Sequence, residues 1–254
     1  MPIGQFREWW RVRRGLSQLS SPVGTGRLSY FHKLKNLFGS SIIGYWPLNE
    51  EAGNAIDYSG NGYNGTSTSV AYGAMGIEDG FSASTFDGTA SRIALPAGFR
   101  TAFTPLEFSI LIWLKIASAV WTDGSNDVAI HIGVNGTTDF TRIMKGSAGN
   151  NIQGSYTAGS TTDIVTATFS YTDWFLAVLT VSDSADELKF YLQGTQVGTT
   201  QTTLGTWSGT PAASTTLIGG QTTTPGLPYN GIAGHCVVIN RAVGSGEVAT
   251  ANAI

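Results

Sequence analysis

Residues 108–116 read Phe-Ser-Ile-Leu-Ile-Trp-Leu-Lys-Ile, and the fold class follows from this stretch. Phe108, Ile110, Ile112 and Leu114 recur at the two-residue period of an extended strand and share one face. Leu111 and Trp113 point the other way, so both faces of this strand are expected to be covered.

The same signal spreads in both directions. Upstream, residues 42–48 form the first strand candidate, residues 54–65 are dense in turn residues, and 84–86 and 91–95 read as short strands. Downstream follow 128–134, 142–145, 152–156, 164–169, the strong pair 174–182 and 188–193, then 217–219 and 232–240. Residues 247–253 read as a short helical turn. Composition agrees with this pattern. The chain of 254 residues is 41% hydrophobic, enough for a sizeable core, and holds 33 glycines among abundant Ser and Thr. Only 12% of its residues are charged, about half the usual share. Many short strands joined by polar turns predict an all-β chain in two sheets.

Residues 1–40 read differently. They carry Arg7, Arg11, Arg13, Arg14, Arg27, Lys33 and Lys35 against Glu8, whereas the rest holds seven bases and sixteen acids. A basic arm on an acidic body meets different surroundings. Phe6, Trp9 and Trp10 sit among the arginines, and residues 20–26 form a turn-rich hinge. In residues 30–38, Tyr30, Phe31, Leu34, Leu37 and Phe38 recur at helical spacing, with Gly39 placed to end a short amphipathic helix. The expected division is therefore an arm at 1–40 and a β-domain at 41–254.

Four stretches resemble the laminin-G-like branch of the concanavalin A-like superfamily. They are Tyr-Trp-Pro-Leu-Asn at 45–49 with the Asp-Tyr-Ser-Gly-Asn-Gly turn at 57–62, and the strand at 108–115. The third is 174–197 with its Phe-Tyr-Leu-Gln-Gly hairpin at 190–194, and the fourth 229–247 with Asn240, Arg241, Ala242 and Glu247. The resemblance implies a jelly-roll sandwich of two antiparallel sheets. It also implies that sugar binding is the commonest soluble role.

The chemistry of sites narrows this. Asp57 in its Gly-rich turn invites calcium, but residues 231–236 supply no second carboxylate, and an Asp at this place also caps its own turn. No cofactor is otherwise expected. A glycoside hydrolase needs two carboxylates facing across a cleft. Glu50, Glu51, Asp186 and Glu187 fall in turns, so the chain is read as non-enzymatic. His32, His131 and His235 lack ligand spacing and are read as structural, and Cys236, the only cysteine, as a buried thiol. Trp121, Trp207 and Tyr229 sit in turn-like contexts and are glycan-binding candidates, the alternative being that they plug loops against the core.

A net charge of −3 argues against a general nucleic-acid binder, and no stretch approaches the ~20 apolar residues that span a bilayer. Residues 1–15 carry charges with no apolar core region behind them, so no export signal is expected, and a single cysteine excludes an internal disulfide. With the arm, these features resemble laminin-G-like proteins of bacteriophage particles, made in the host cytoplasm as decoration, head-fibre or tail proteins. Phe6, Trp9, Trp10, Arg11, Arg13, Arg14, Phe31 and Leu34 would then dock on a capsid or other virion protein. The sandwich would face outward toward glycans. The runner-up is a carbohydrate-binding module at a cell surface, and self-association into a homo-oligomer stays open.

Overall fold

The computed structural model describes residues 29–224 and 226–253. Numbered along the chain, one sheet contains β1 (Ile42–Trp46), β3 (Ala71–Met75), β4 (Ser82–Asp87), β6 (Glu107–Lys115), β11 (Phe175–Ser182), β12 (Glu187–Leu192), β13 (Thr195–Gln201) and β15 (Asn230–Ile239). The other contains β2 (Thr66–Thr68), β5 (Arg92–Ala94), β7 (Asp127–Gly133), β8 (Phe140–Lys145), β9 (Asn151–Ala158), β10 (Thr161–Thr168) and β14 (Thr216–Ile218). Their orders are β13-β12-β11-β6-β15-β4-β3, with β1 also pairing β15, and β10-β9-β8-β7-β14-β5-β2. Every pairing is antiparallel.

β6 lies at the centre of the first sheet, as its apolar run requires. Phe108, Ile110, Ile112 and Leu114 face the core between the sheets, with Phe175, Leu179 and Ile143. Leu111 and Trp113 face outward into a second apolar cluster. What covers that outer face is α1 (Tyr30–Phe38) and α4 (Ser245–Asn252). Tyr30, Leu34 and Phe38, one turn apart, bury their side chains on it. Nine residues make too short a helix to persist alone. Roughly 1.5–3 kcal/mol for each buried large side chain holds it in place. Gly39, at φ 55°, ends it in a conformation that suits glycine.

The boundary expected at residue 40 therefore gives way. Helix 30–38 is a layer of the sandwich, and Leu34, fully buried, is not available to a partner. Phe31 stacks on Tyr45 with ring centroids 5.5 Å apart. Phe6, Trp9, Trp10, Arg11, Arg13 and Arg14 lie outside the described residues.

Three strands escaped the sequence reading: β2, β3 and β13. Each is an edge strand that buries little, so its sequence (Thr-Ser-Thr in β2) needs no apolar period. The short helices α2 (Ala97–Ala102) and α3 (Ser118–Trp121) were also not foreseen. Among the described residues no helix is long and apolar enough to cross a membrane.

Candidate functional site

The opening turn is a closed hydrogen-bond unit. Asp57 Oδ1 accepts from the Tyr45 and Ser59 N–H groups at 3.0 and 2.8 Å. Its Oδ2 accepts from Ser59 Oγ at 2.7 Å and the Tyr63 N–H at 2.8 Å. A carboxylate offers about four lone-pair sites. All are engaged here, so Asp57 organises the turn and does not serve as a calcium ligand. Three of the four carboxylates considered for acid–base work are also tied down, and Glu51 is exposed. Glu50 accepts from the Ile56 N–H at 2.8 Å, Asp186 accepts from Thr203 and Leu204 at 2.8 Å each, and Glu187 pairs with Lys189.

The three expected glycan aromatics are interior. Trp121 is 1% exposed and its Nε1–H donates to the Tyr171 carbonyl at 3.1 Å. Trp207 stacks on Tyr156 at 5.7 Å and donates to the Gly209 carbonyl. Tyr229 is 1% exposed, and its hydroxyl donates to the Ile232 carbonyl at 3.2 Å. Each aromatic plugs a loop and finds a backbone acceptor for its polar tip. They are corrected from sugar platforms to core residues.

The Arg241 and Glu247 of the fourth motif form a bidentate pair, at 2.9 and 2.6 Å, that clamps α4 to the end of β15. The Arg241 guanidinium beside Glu247 holds its carboxyl below the usual range, and Arg241 also lies over the Phe38 ring. Burial pushes the Cys236 thiol up, which leaves it protonated and inert. Lys145, fully buried, is held by Asp123, by Asp127 at 2.9 Å and by the Ser125 carbonyl at 2.8 Å.

A buried polar chain lies beneath α1. His235 sits in a bulge of β15, where the register against β6 shifts between Gly234 and Val237 and φ at His235 is 47°. The extra residue resets the alternation, so that Ala233 and Cys236 both face the inner core. It also turns His235 toward the outer face. There its Nε2 is 2.9 Å from Asp79 Oδ2, and its Nδ1 is 2.7 Å from the Tyr45 hydroxyl. The carboxylate calls for a proton on Nε2, which leaves Nδ1 to accept from Tyr45. Tyr30 closes the top edge-on, 4.9 Å from the imidazole. Burial raises the pKa of Tyr45 and Tyr30, so both remain phenols.

Asp79 belongs to the β3–β4 connection, and its neighbours open onto a cavity of about 610 Å³ on the outer face of the first sheet. Trp113 of β6 forms part of its lining, 3% exposed, alongside the half-buried Trp174. Ile77 and Glu78 line one side and Asp173 another. Gln193, in the β12–β13 turn, and Asn252, at the end of α4, complete it. Gln193 at φ 48° and Gly194 at φ 80° make the tight hairpin turn that presents the amide. Glu78 is held at φ 70°, a conformation that side-chain-bearing residues seldom adopt. Asp173 Oδ1 accepts from the Trp174 N–H at 2.8 Å and from Lys115 at 3.1 Å. These bonds keep its carboxyl below the usual range, so it stands as an anion and an acceptor. Asn252 Oδ1 is buried without a hydrogen-bond partner among the described residues.

Sequence reading missed this site because its parts are distant in the chain and individually ordinary. The hairpin turn at 193–194 was the one piece in view.

Residues 87–249 match the laminin-G family described as the concanavalin A-like lectin/glucanases superfamily. No curated protein matches the chain in sequence. Among solved structures, the botulinum neurotoxin serotype D binding domain is similar with a TM-score of 0.63 at 12% identity, over 85% of this chain and 52% of that one. The receptor binding domain of a botulinum neurotoxin C/D mosaic serotype gives 0.62 at 11%, over 84% and 51%. A Trypanosoma rangeli sialidase gives 0.60 at 12%, over 82% and 32%. The chain thus spans about half the length of the toxin domains, and at these identities the likeness is one of fold.

Proposed function

Because the chain belongs to the concanavalin A-like lectin/glucanases superfamily, we propose that it is a non-enzymatic carbohydrate-binding domain whose site is the Trp113/Trp174 cavity. One observation carries this reading: indole surface and convergent amide and carboxylate groups line a single open cavity. A sugar ring has an apolar C–H face that packs on an indole and a hydroxyl rim that needs donors and acceptors. Trp174 supplies the first, with the buried Trp113 as the floor beneath it, and Gln193, Asn252, Glu78 and Asp173 the second. One of the similar toxin structures is a receptor binding domain, a role that supports the same class. An enzymatic role lacks support: Glu50 and Asp186 are engaged by backbone N–H groups, Glu187 by Lys189, and Asp173 is held as an anion, which makes it a poor proton donor.

The finer form of the proposal puts the domain on a virus particle, made in the host cytoplasm and anchored through residues 1–28. The charge split between a basic start and an acidic body supports it. The test has two arms. A glycan array and titration calorimetry on the full chain should show binding that Trp174→Ala abolishes, and binding unaffected by that change would overturn the site. Deleting residues 1–28, which spares α1, should abolish co-sedimentation with particles, and unchanged co-sedimentation would overturn the anchoring role.

A further inference from the structure

The charged groups at the cavity are all of one sign. Among the described residues, Glu78 and Asp173 are its only ionisable lining groups, and no Lys, Arg or His lines it. Glu78 is exposed and makes no hydrogen bond or ion pair with any described residue. A compensating charge, Lys115, is turned to Asp173 Oδ1, which it shares with the Trp174 N–H. Asp173 Oδ2 accepts from neither. The cavity therefore presents one whole carboxylate and half of another beside the indoles, in a body whose residues 41–254 carry sixteen acids against seven bases. The unusual φ of Glu78 matters here. A left-handed backbone is unfavourable for an ordinary residue. The neighbouring Asp79, 2.9 Å from His235, anchors the connection beside Glu78.

Resting on the carbohydrate reading above, we infer that this cavity selects its sugar by charge: it takes a hexosamine with a free ammonium group, accepts the neutral hexose more weakly and rejects carboxylated sugars. The ammonium would meet Glu78, which has no ion-pair partner among the described residues, and the Asp173 Oδ2 that Lys115 leaves open, while the ring packs on Trp174 and the remaining hydroxyls meet Gln193 and Asn252. A sialic or uronic acid would bring a third carboxylate to a place whose nearest cation, Lys115, is already paired with Asp173.

At about 4 Å in water, one unit-charge pair changes affinity about fivefold, and partial desolvation raises that figure. With two carboxylates, binding should strengthen about tenfold from hexose to hexosamine and weaken at least tenfold from hexose to uronic acid.

The experiment is calorimetric titration of the full chain at low salt with matched β-linked oligosaccharides, on gluco and galacto rings. Each ring is offered as free amine, neutral hexose and uronic acid. The expected order is amine, neutral, acid, narrowing as salt is raised. Glu78→Gln, which removes the charge and keeps the side chain's shape, should shrink the amine-to-acid spread severalfold. If uronic acids bind as tightly as neutral sugars, and Trp174→Ala removes that binding, the charge inference is overturned while the site stands. If Glu78→Gln leaves the spread unchanged, the assigned role of Glu78 is overturned. If no sugar in any series binds, the carbohydrate reading itself falls; if binding survives both Trp174→Ala and the milder Trp174→Leu, the site falls and the charge inference with it.

Discussion

Removing the Asp79 carboxylate should cost the domain about 1–3 kcal/mol. Its side chain is 3% exposed, its Oδ2 lies 2.9 Å from the His235 Nε2, and that imidazole is 2% exposed. In Asp79→Ala the Nε2–H remains buried with nothing to accept it. Orphaning a buried neutral donor costs about 1–3 kcal/mol. Asp79→Asn keeps an acceptor oxygen in place and should cost about 1 kcal/mol. Tyr45→Phe, which removes the donor to Nδ1, should also cost about 1 kcal/mol. Since both groups act on one imidazole, Asp79→Ala and Tyr45→Phe should be non-additive by at least about 0.5 kcal/mol in a double-mutant cycle. Urea unfolding followed by tryptophan fluorescence measures the wild type and the four variants, and amide exchange across residues 76–81 should quicken in Asp79→Ala. A loss below about 0.5 kcal/mol, or equal losses for Asn and Ala, would show that the pair does not hold the connection.

Three further outcomes are expected. Burial holds His131 down to about 4, below the ordinary value of 6.5, so the unfolded chain binds its proton first. Its contribution is complete above pH 6.5 and is lost as pH falls toward 4, up to about 3 kcal/mol, and unfolding curves of His131→Gln across that window should be flatter than those of the wild type. Lys145→Met leaves Asp123 and Asp127 without their shared cation and should destabilise by about 3–5 kcal/mol, while adding Asp127→Leu to it should recover a measurable part in thermal melts. In Gly154→Ala the new methyl would meet Phe190 Cδ2 at 2.6 Å and Leu179 Cδ1 at 2.8 Å in the inner core, which predicts a loss of about 1–3 kcal/mol of unfolding free energy in urea.

Where local chemistry is decisive, residues and structure agree. The period in 108–114 names a strand covered on both faces, the spacing of Tyr30, Leu34 and Phe38 names a helix, and Asp57 with its glycines names a turn. Each is written within a few residues, because strand and helix periods and turn hydrogen bonds are short-range. Edge strands such as β13 carry no such mark, since they bury too little to need one. The β15 bulge carries none either, because a single inserted residue is invisible in an apolar run, yet it alone turns His235 outward.

Pattern along the chain was enough to specify a two-sheet sandwich with an amphipathic helix before it. Three-dimensional packing was needed to establish that the helix roofs the outer sheet, that Trp121, Trp207 and Tyr229 face inward, and that Glu78, Trp113, Asp173, Trp174, Gln193 and Asn252 share one cavity. The difference arises because burial and convergence depend on which surfaces meet. An aromatic in a turn reads the same whether a backbone carbonyl waits for its N–H inside or a ligand waits outside, and that choice is made by contacts between segments far apart in the chain.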